Sequence, residues 1–219
     1  MRYLTALSVF TVLVLIVFFS GCTGTSPAPA ATAQTTAPTA VADPYPDALV
    51  VNTPTSFGSG NMVGEINVFR YAIRPTYDWT DPSLNSPQEQ AESNEPLEER
   101  KDYNTKSPKE GSTYLFVYVS VENTGSDPIW SPDTGKVLVV SDGKTYKYTP
   151  LLSSETHVKG ESVSQYNYLF GSDGTVGWIS PGSTSRGFMV YEVPASFSLE
   201  KTYVVADAGS SQVFAWKLA

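Results

Sequence analysis

A single cysteine and a single histidine leave little room for most site chemistry. One cysteine excludes an intrachain disulfide framework, a Cys-x-x-Cys redox pair and a multi-cysteine zinc or iron–sulfur site. One histidine excludes a His-His-carboxylate metal site within one chain. Positive charge is also scarce: 14 Lys and Arg face 22 Asp and Glu, for a net charge of −8 and a pI near 4.6. That balance disfavours nucleic acid and anionic membrane surfaces as direct partners. No Asn-x-Ser/Thr sequon occurs, so N-linked sugar is not expected.

What is present begins with Arg2 and an apolar run from Leu4 to Phe19, closed by the small residues Ser20 and Gly21. This layout is that of a secretory signal, and the run falls short of the roughly 20 residues of a transmembrane helix. Phe19, Ser20, Gly21 and Cys22 resemble a lipobox, with Phe19 standing where Leu, Val or Ile is usual. The only cysteine thus sits where lipidation would require it. Residues 1–21 are expected to be a lipoprotein-type signal segment, and Cys22 the attachment point for membrane lipid; an uncleaved signal anchor is the other reading. Both place the domain on the outer face of a cell membrane. After cleavage, residues 22–219 would carry a net −9. Residues 22–46 are built almost wholly from Thr, Ala, Pro, Ser and Gly, too little apolar content to offset ordering entropy, and read as an extended stalk.

The remainder, 47–219, is long enough for one domain with its own core. Two-residue alternation recurs in it. Leu115, Val117, Val119 and Val121 share one face of a strand; Tyr114, Phe116, Tyr118 and Ser120 share the other. Asn123, Thr124 and Gly125 supply a turn. Lys136–Ser141 and Thr145–Thr149 flank Asp142-Gly143, the spacing of a type I′ hairpin. Thr184–Val193 ends at Pro194, which cannot donate to a ladder. Thr202–Ala206 and Gln212–Leu218 form a final pair, and Glu65–Ile73 changes phase between Val68 and Phe69, which suggests a bulge. Asp47–Val51 and Val176–Ser180 are weaker strand candidates. Seven to nine short strands between Gly, Pro, Asn and Asp turns predict an all-β, antiparallel, immunoglobulin-like β-sandwich. Residues 76–112 do not fit that pattern. They hold nine acidic and four basic side chains and few apolar ones, and read as a solvated acidic insertion.

The strand order then becomes specific. Val117, Val119, Val121, Asn123 and Gly125 come first, followed by Asp142, Gly143, Lys144 and Tyr146. Pro181, Gly182, Gly187, Phe188, Val190, Glu192, Val193 and Pro194 follow. From about Gly64 to Ala219 this resembles the telokin-like, immunoglobulin-fold domain-of-unknown-function family found in bacterial and archaeal surface lipoproteins. The resemblance implies a fold and an extracytoplasmic, anchored address. It carries over no catalytic residue, because the family has none established.

His157 is the only imidazole, lies in a loop-like stretch, and has no Gly-x-Ser-x-Gly elbow with it. Glu92, Glu95, Glu98 and Glu99 sit in the acidic insertion without the apolar setting that would raise one carboxyl pKa for glycoside hydrolysis. Asp142 and Asp173 precede glycines and are accounted for as turns, so neither metal nor cofactor is expected. Aromatic side chains remain, 12% of the chain. Trp130, Trp178 and Trp216 are read as core residues. Tyr77, Trp79, Tyr166 and Tyr168 are read as exposed rings able to contact a ligand. The expected function is a non-catalytic surface lipoprotein binding a protein or cell-envelope component. A carbohydrate-binding module using exposed Tyr and Trp is the alternative, and a hydrolase using acidic residues stands third.

Overall fold

The computed structural model describes residues 43–81, 103–151, 156–166 and 177–219. In chain order their strands are β1 (Leu49–Val50), β2 (Thr55–Ser59), β3 (Met62–Arg74), β4 (Tyr77–Thr80), β5 (Asn104–Lys106), β6 (Ser112–Asn123), β7 (Ile129–Trp130), β8 (Val137–Ser141), β9 (Lys144–Tyr146), β10 (His157–Val158), β11 (Trp178–Ile179), β12 (Thr184–Pro194), β13 (Thr202–Asp207) and β14 (Val213–Lys217). Two sheets form the sandwich: β12-β6-β3-β2, and β1-β14-β13-β8-β9. Two small ladders, β10-β4-β5 and β11-β7, complete it. The nine strands of the main sheets agree with the all-β sandwich read from the alternation. One pair departs from wholly antiparallel order, since β1 runs parallel to β14.

Strand β6 explains the architecture. Its Leu115, Val117, Val119 and Val121 face inward, where Val139, Val204 and Trp216 of the other sheet meet them. Its Tyr114, Phe116 and Tyr118 point the other way, yet they too are buried, under Tyr77 and Val158 of the small ladder. A strand covered on both faces loses polar-out alternation and reads as a continuous apolar run. Each such side chain, fully buried, contributes on the order of 1.5–3 kcal/mol. Trp216, at the centre of the inner core, satisfies its indole N–H with the carbonyl of Thr53 at 2.8 Å, as a buried indole must.

The local expectations for turns and bulge hold. Asp142 and Gly143 both have positive φ, 47° and 73°, as a type I′ hairpin demands, and β8 pairs with β9 across them. The β3–β6 register shifts between Val68 and Arg70, which is the bulge.

Two boundaries are corrected. Residues 43–46, read as the end of the stalk, pack on the domain. The Tyr45 ring lies 5.2 Å from that of Tyr203, and the Tyr203 hydroxyl donates to Asp43 at 2.7 Å. The insertion read at 76–112 is ordered at both ends, because β4 and β5 pair there: Tyr77 with Lys106 and Trp79 with Asn104. That ladder buries the outer face of β6, which is why so polar a segment still forms strands. The interior of the insertion lies outside the described residues, as do the signal segment and residues 22–42 of the stalk. No described helix is long and apolar enough to cross a membrane.

Candidate functional site

The rings singled out from the sequence are not brought together. Tyr77 is only 7% exposed, wedged edge-on against Tyr114 at 4.9 Å and Phe116 at 5.4 Å. Burial, with Tyr114 beside it, pushes its phenol up to about 12. Tyr166 is buried as well. Its hydroxyl donates to the carbonyl of Pro132 at 3.0 Å and shares a hydrogen bond with Ser131, and burial drives its pKa far above the ordinary value. The expected exposure of both is corrected for one reason. Tyr77 points from the covering strand β4 onto β6, and Tyr166 is held against Ser131 and Pro132, contacts between distant segments that alternation alone does not reveal. Trp79 is half-buried on β4, packed against the same outer cluster. Tyr168 and Cys22 lie outside the described residues.

Among the described residues, the exposed rings are two that were read as core. Trp130 is 54% exposed and Trp178 is 37% exposed. They face each other across the β7–β11 ladder, with ring centroids 4.5 Å apart and planes tilted by 41°. The period of a strand explains it. On each two-residue strand one side chain must point in and the other out. Ile129 and Ile179 take the inward positions and are buried in the inner core. The two tryptophans are therefore left side by side in water, a directly opposed cross-strand pair. The length of the indoles misleads a sequence reading, since a large ring usually marks a core position.

The ladder is held from behind. Asn123 is fully buried, and its amide donates to the carbonyls of Ile179 at 2.7 Å and Asp127 at 2.9 Å while its oxygen accepts from the N–H of Gly125. The Asn-Thr-Gly turn is thus also the clamp for both strands carrying the tryptophans. Gly177, with φ of 74°, passes directly beneath Trp130; a Cβ there would stand 1.9 Å from Cζ3 of the indole.

A recess of about 350 Å³ opens beside Trp130, bounded by Pro132, Asp133, Lys136, Asp207 and Gly209. Lys136 and Asp207 pair across it at 3.6 Å, each nearly half-exposed. Asp133 accepts from the N–H of Lys136, closing the 3-10 turn Thr134–Lys136, and Asp207 accepts from the N–H of Gly209. A second and larger recess, about 610 Å³, lies over Phe188 and takes in His157, Lys159 and Glu161. Glu161 is committed within the protein, its buried carboxylate accepting from Arg70, Arg74 and Tyr118. His157 is half-buried on β10, paired with Thr80 of β4. No group of three or more His, Cys, Asp or Glu among the described residues could hold a metal ion.

Three solved structures resemble the chain in shape. The yjhA protein of Bacillus subtilis is 13% identical, with 78% of this chain and 99% of that one covered and a TM-score of 0.42. An uncharacterized β-sandwich protein of Clostridium difficile is 10% identical, covering 78% and 93% at 0.42. The secreted protein MPT63 of Mycobacterium tuberculosis is 12% identical, covering 80% and 98% at 0.40. None of the curated proteins matches. Residues 90–211, more than half of the chain, match the domain of unknown function DUF4352. The chain therefore belongs to the DUF4352 family, the domain-of-unknown-function assignment to which the order of its Asn-Thr-Gly, Asp-Gly-Lys and Pro-Gly turns pointed.

Proposed function

We propose that the protein is a membrane-anchored, extracytoplasmic module that binds a protein or cell-envelope component without catalysis, and that Trp130 and Trp178 form its contact surface. The observation that carries this reading is the pair of adjacent exposed indoles, where the Trp216, Tyr77, Tyr114 and Tyr166 rings are buried. Tryptophan is among the side chains that most often dominate binding energy, and two of them fixed on a short ladder lose little entropy on contact. The anchored address rests on the lipobox-like stretch ending at Cys22 and the stalk after it.

The reading through Tyr77 and Trp79 loses its platform, because Tyr77 is inside the outer cluster. The carboxylates of the hydrolase reading, Glu92, Glu95, Glu98 and Glu99, lie outside the described residues; Glu161, in the larger recess, spends its oxygens on two guanidinium groups and a phenol.

Crosslinking on intact cells tests the proposal. Cells displaying the full chain should yield a crosslinked species that the Trp130→Ala, Trp178→Ala double variant loses and Trp79→Ala keeps. Identical recovery from all three would overturn it.

A further inference from the structure

We propose that the recess beside Trp130 is a glycan site, taking one or two sugar rings of a neutral cell-envelope carbohydrate. This rests on the reading that the Trp130–Trp178 ladder is the contact surface, and it names the ligand class. The recess combines an indole with charged groups at its rim, and that combination separates a sugar from other occupants. A pyranose offers a patch of C–H bonds on its face and hydroxyls around its edge. The indole of Trp130 suits the first. The carboxylates of Asp133 and Asp207 and the ammonium of Lys136 suit the second, as acceptors and donor. Lys136 and Asp207 are nearly half in water, so hydroxyls would replace water on these groups rather than leave them unpaired.

An apolar peptide side chain entering the same recess would strip water from three charged groups and return no hydrogen bonds, a costly exchange. An anionic ligand is disfavoured too, since two carboxylates against one ammonium leave the rim with a formal charge of −1. Size agrees: about 350 Å³ lies near the lower end of the roughly 300–1,000 Å³ of small-molecule sites. The platform is also set in advance, with Gly177 beneath Trp130 and Trp178 beside it, which lowers the ordering cost of binding.

The test titrates the full chain in detergent with cellotetraose, chitotetraose and mannotetraose, following tryptophan fluorescence and heat. At least one probe should bind saturably with a Kd below about 10 mM. Trp130→Ala should weaken that binding at least about tenfold, and Lys136→Ala or Asp207→Asn severalfold, while Trp79→Ala leaves it unchanged. Circular dichroism checks the fold of each variant; if Trp130→Ala unfolds the chain, the exposed Lys136→Ala and Asp207→Asn variants decide. No saturable binding by any probe, or binding that all three recess variants leave unchanged, overturns the inference. If no sugar binds while the tryptophan variants still abolish the crosslinked species, the glycan inference falls and the contact surface stands. If the species also survives those variants, both fall.

Discussion

The side-chain amide of Asn123 donates to the backbone carbonyl of Ile179, 56 residues further along the chain, at 2.7 Å and fully buried. Ile179 ends β11, which has only two residues to hold it. This bond, with those to Asp127 and Gly125, therefore substitutes for the missing length of ladder. Asn123→Ala removes the donor to the buried carbonyl of Ile179 and is expected to cost about 1–3 kcal/mol. Urea unfolding with an unchanged midpoint would contradict this role.

Gly177→Ala tests the support of the tryptophan pair. The residue sits at a φ of 74°, and its added methyl would occupy the space of the Trp130 ring. The backbone strain alone costs about 1–2 kcal/mol. The ring must also move, so the coupled indole signal in circular dichroism is expected to diminish. Retention of that signal at full amplitude would show that the pair does not depend on the glycine.

The sandwich was legible in the sequence where one strand carries its own pattern. The Val68/Arg70 bulge, the Asp142-Gly143 hairpin and both faces of β6 each follow from side-chain alternation or a required φ. What escaped are elements that depend on distant partners. Tyr77–Thr80 and Asn104–Lys106 lie in polar sequence and become strands by pairing with each other and with β10. Leu49–Val50 owes its parallel pairing to the far end of the chain.

The candidate site was the least legible part, for the same reason. Whether Trp130 or Tyr166 is exposed depends on what covers each, and two-residue strands are too short to show which way their side chains alternate. A signal was available in the pairs Ile129-Trp130 and Trp178-Ile179. Each places a β-branched residue next to an indole, so only one of the two can face the core.

Glu161 predicts how the outer cluster is held. Its carboxylate accepts from Arg70 at 3.1 Å, from Arg74, and from the Tyr118 hydroxyl at 2.6 Å. Arg70 is half-exposed and contributes little alone through solvent screening, so the buried phenol and Arg74 should dominate. Glu161→Ala is expected to destabilise by about 2 kcal/mol. Burial first, then the bond to Glu161, holds the Tyr118 phenol up at about 12; Glu161→Gln should lower it while leaving it above an exposed tyrosine. Ultraviolet titration of the wild type and the variant, with Tyr118→Phe to assign the transition, measures that shift. An unchanged Tyr118 transition would remove Glu161 from the network.

Asp43 and Tyr203 make opposite contributions at the two ends of the pH scale. The N–H of Tyr45 and then the Tyr203 hydroxyl, with Lys217 nearby, hold the Asp43 carboxyl below its ordinary 3.8. The folded state therefore releases this proton more readily than the unfolded chain. Its stabilising effect is present above pH 3.8 and is lost as pH falls through the lower folded value. Tyr203 shifts the other way, from 10.0 up to about 12, through burial and then its bond to Asp43. Its contribution is complete below pH 10 and is lost as pH rises from 10 toward 12. Asp43→Asn should consequently flatten the acid side of the curve of Tm against pH and move the alkaline fall of Tyr203 to lower pH. Because Asp43 also ties residues 43–46 to β13 and β14, the variant should expose that segment to protease sooner. A Tm curve and a cleavage rate both identical to wild type would show that this junction does not fasten the start of the domain.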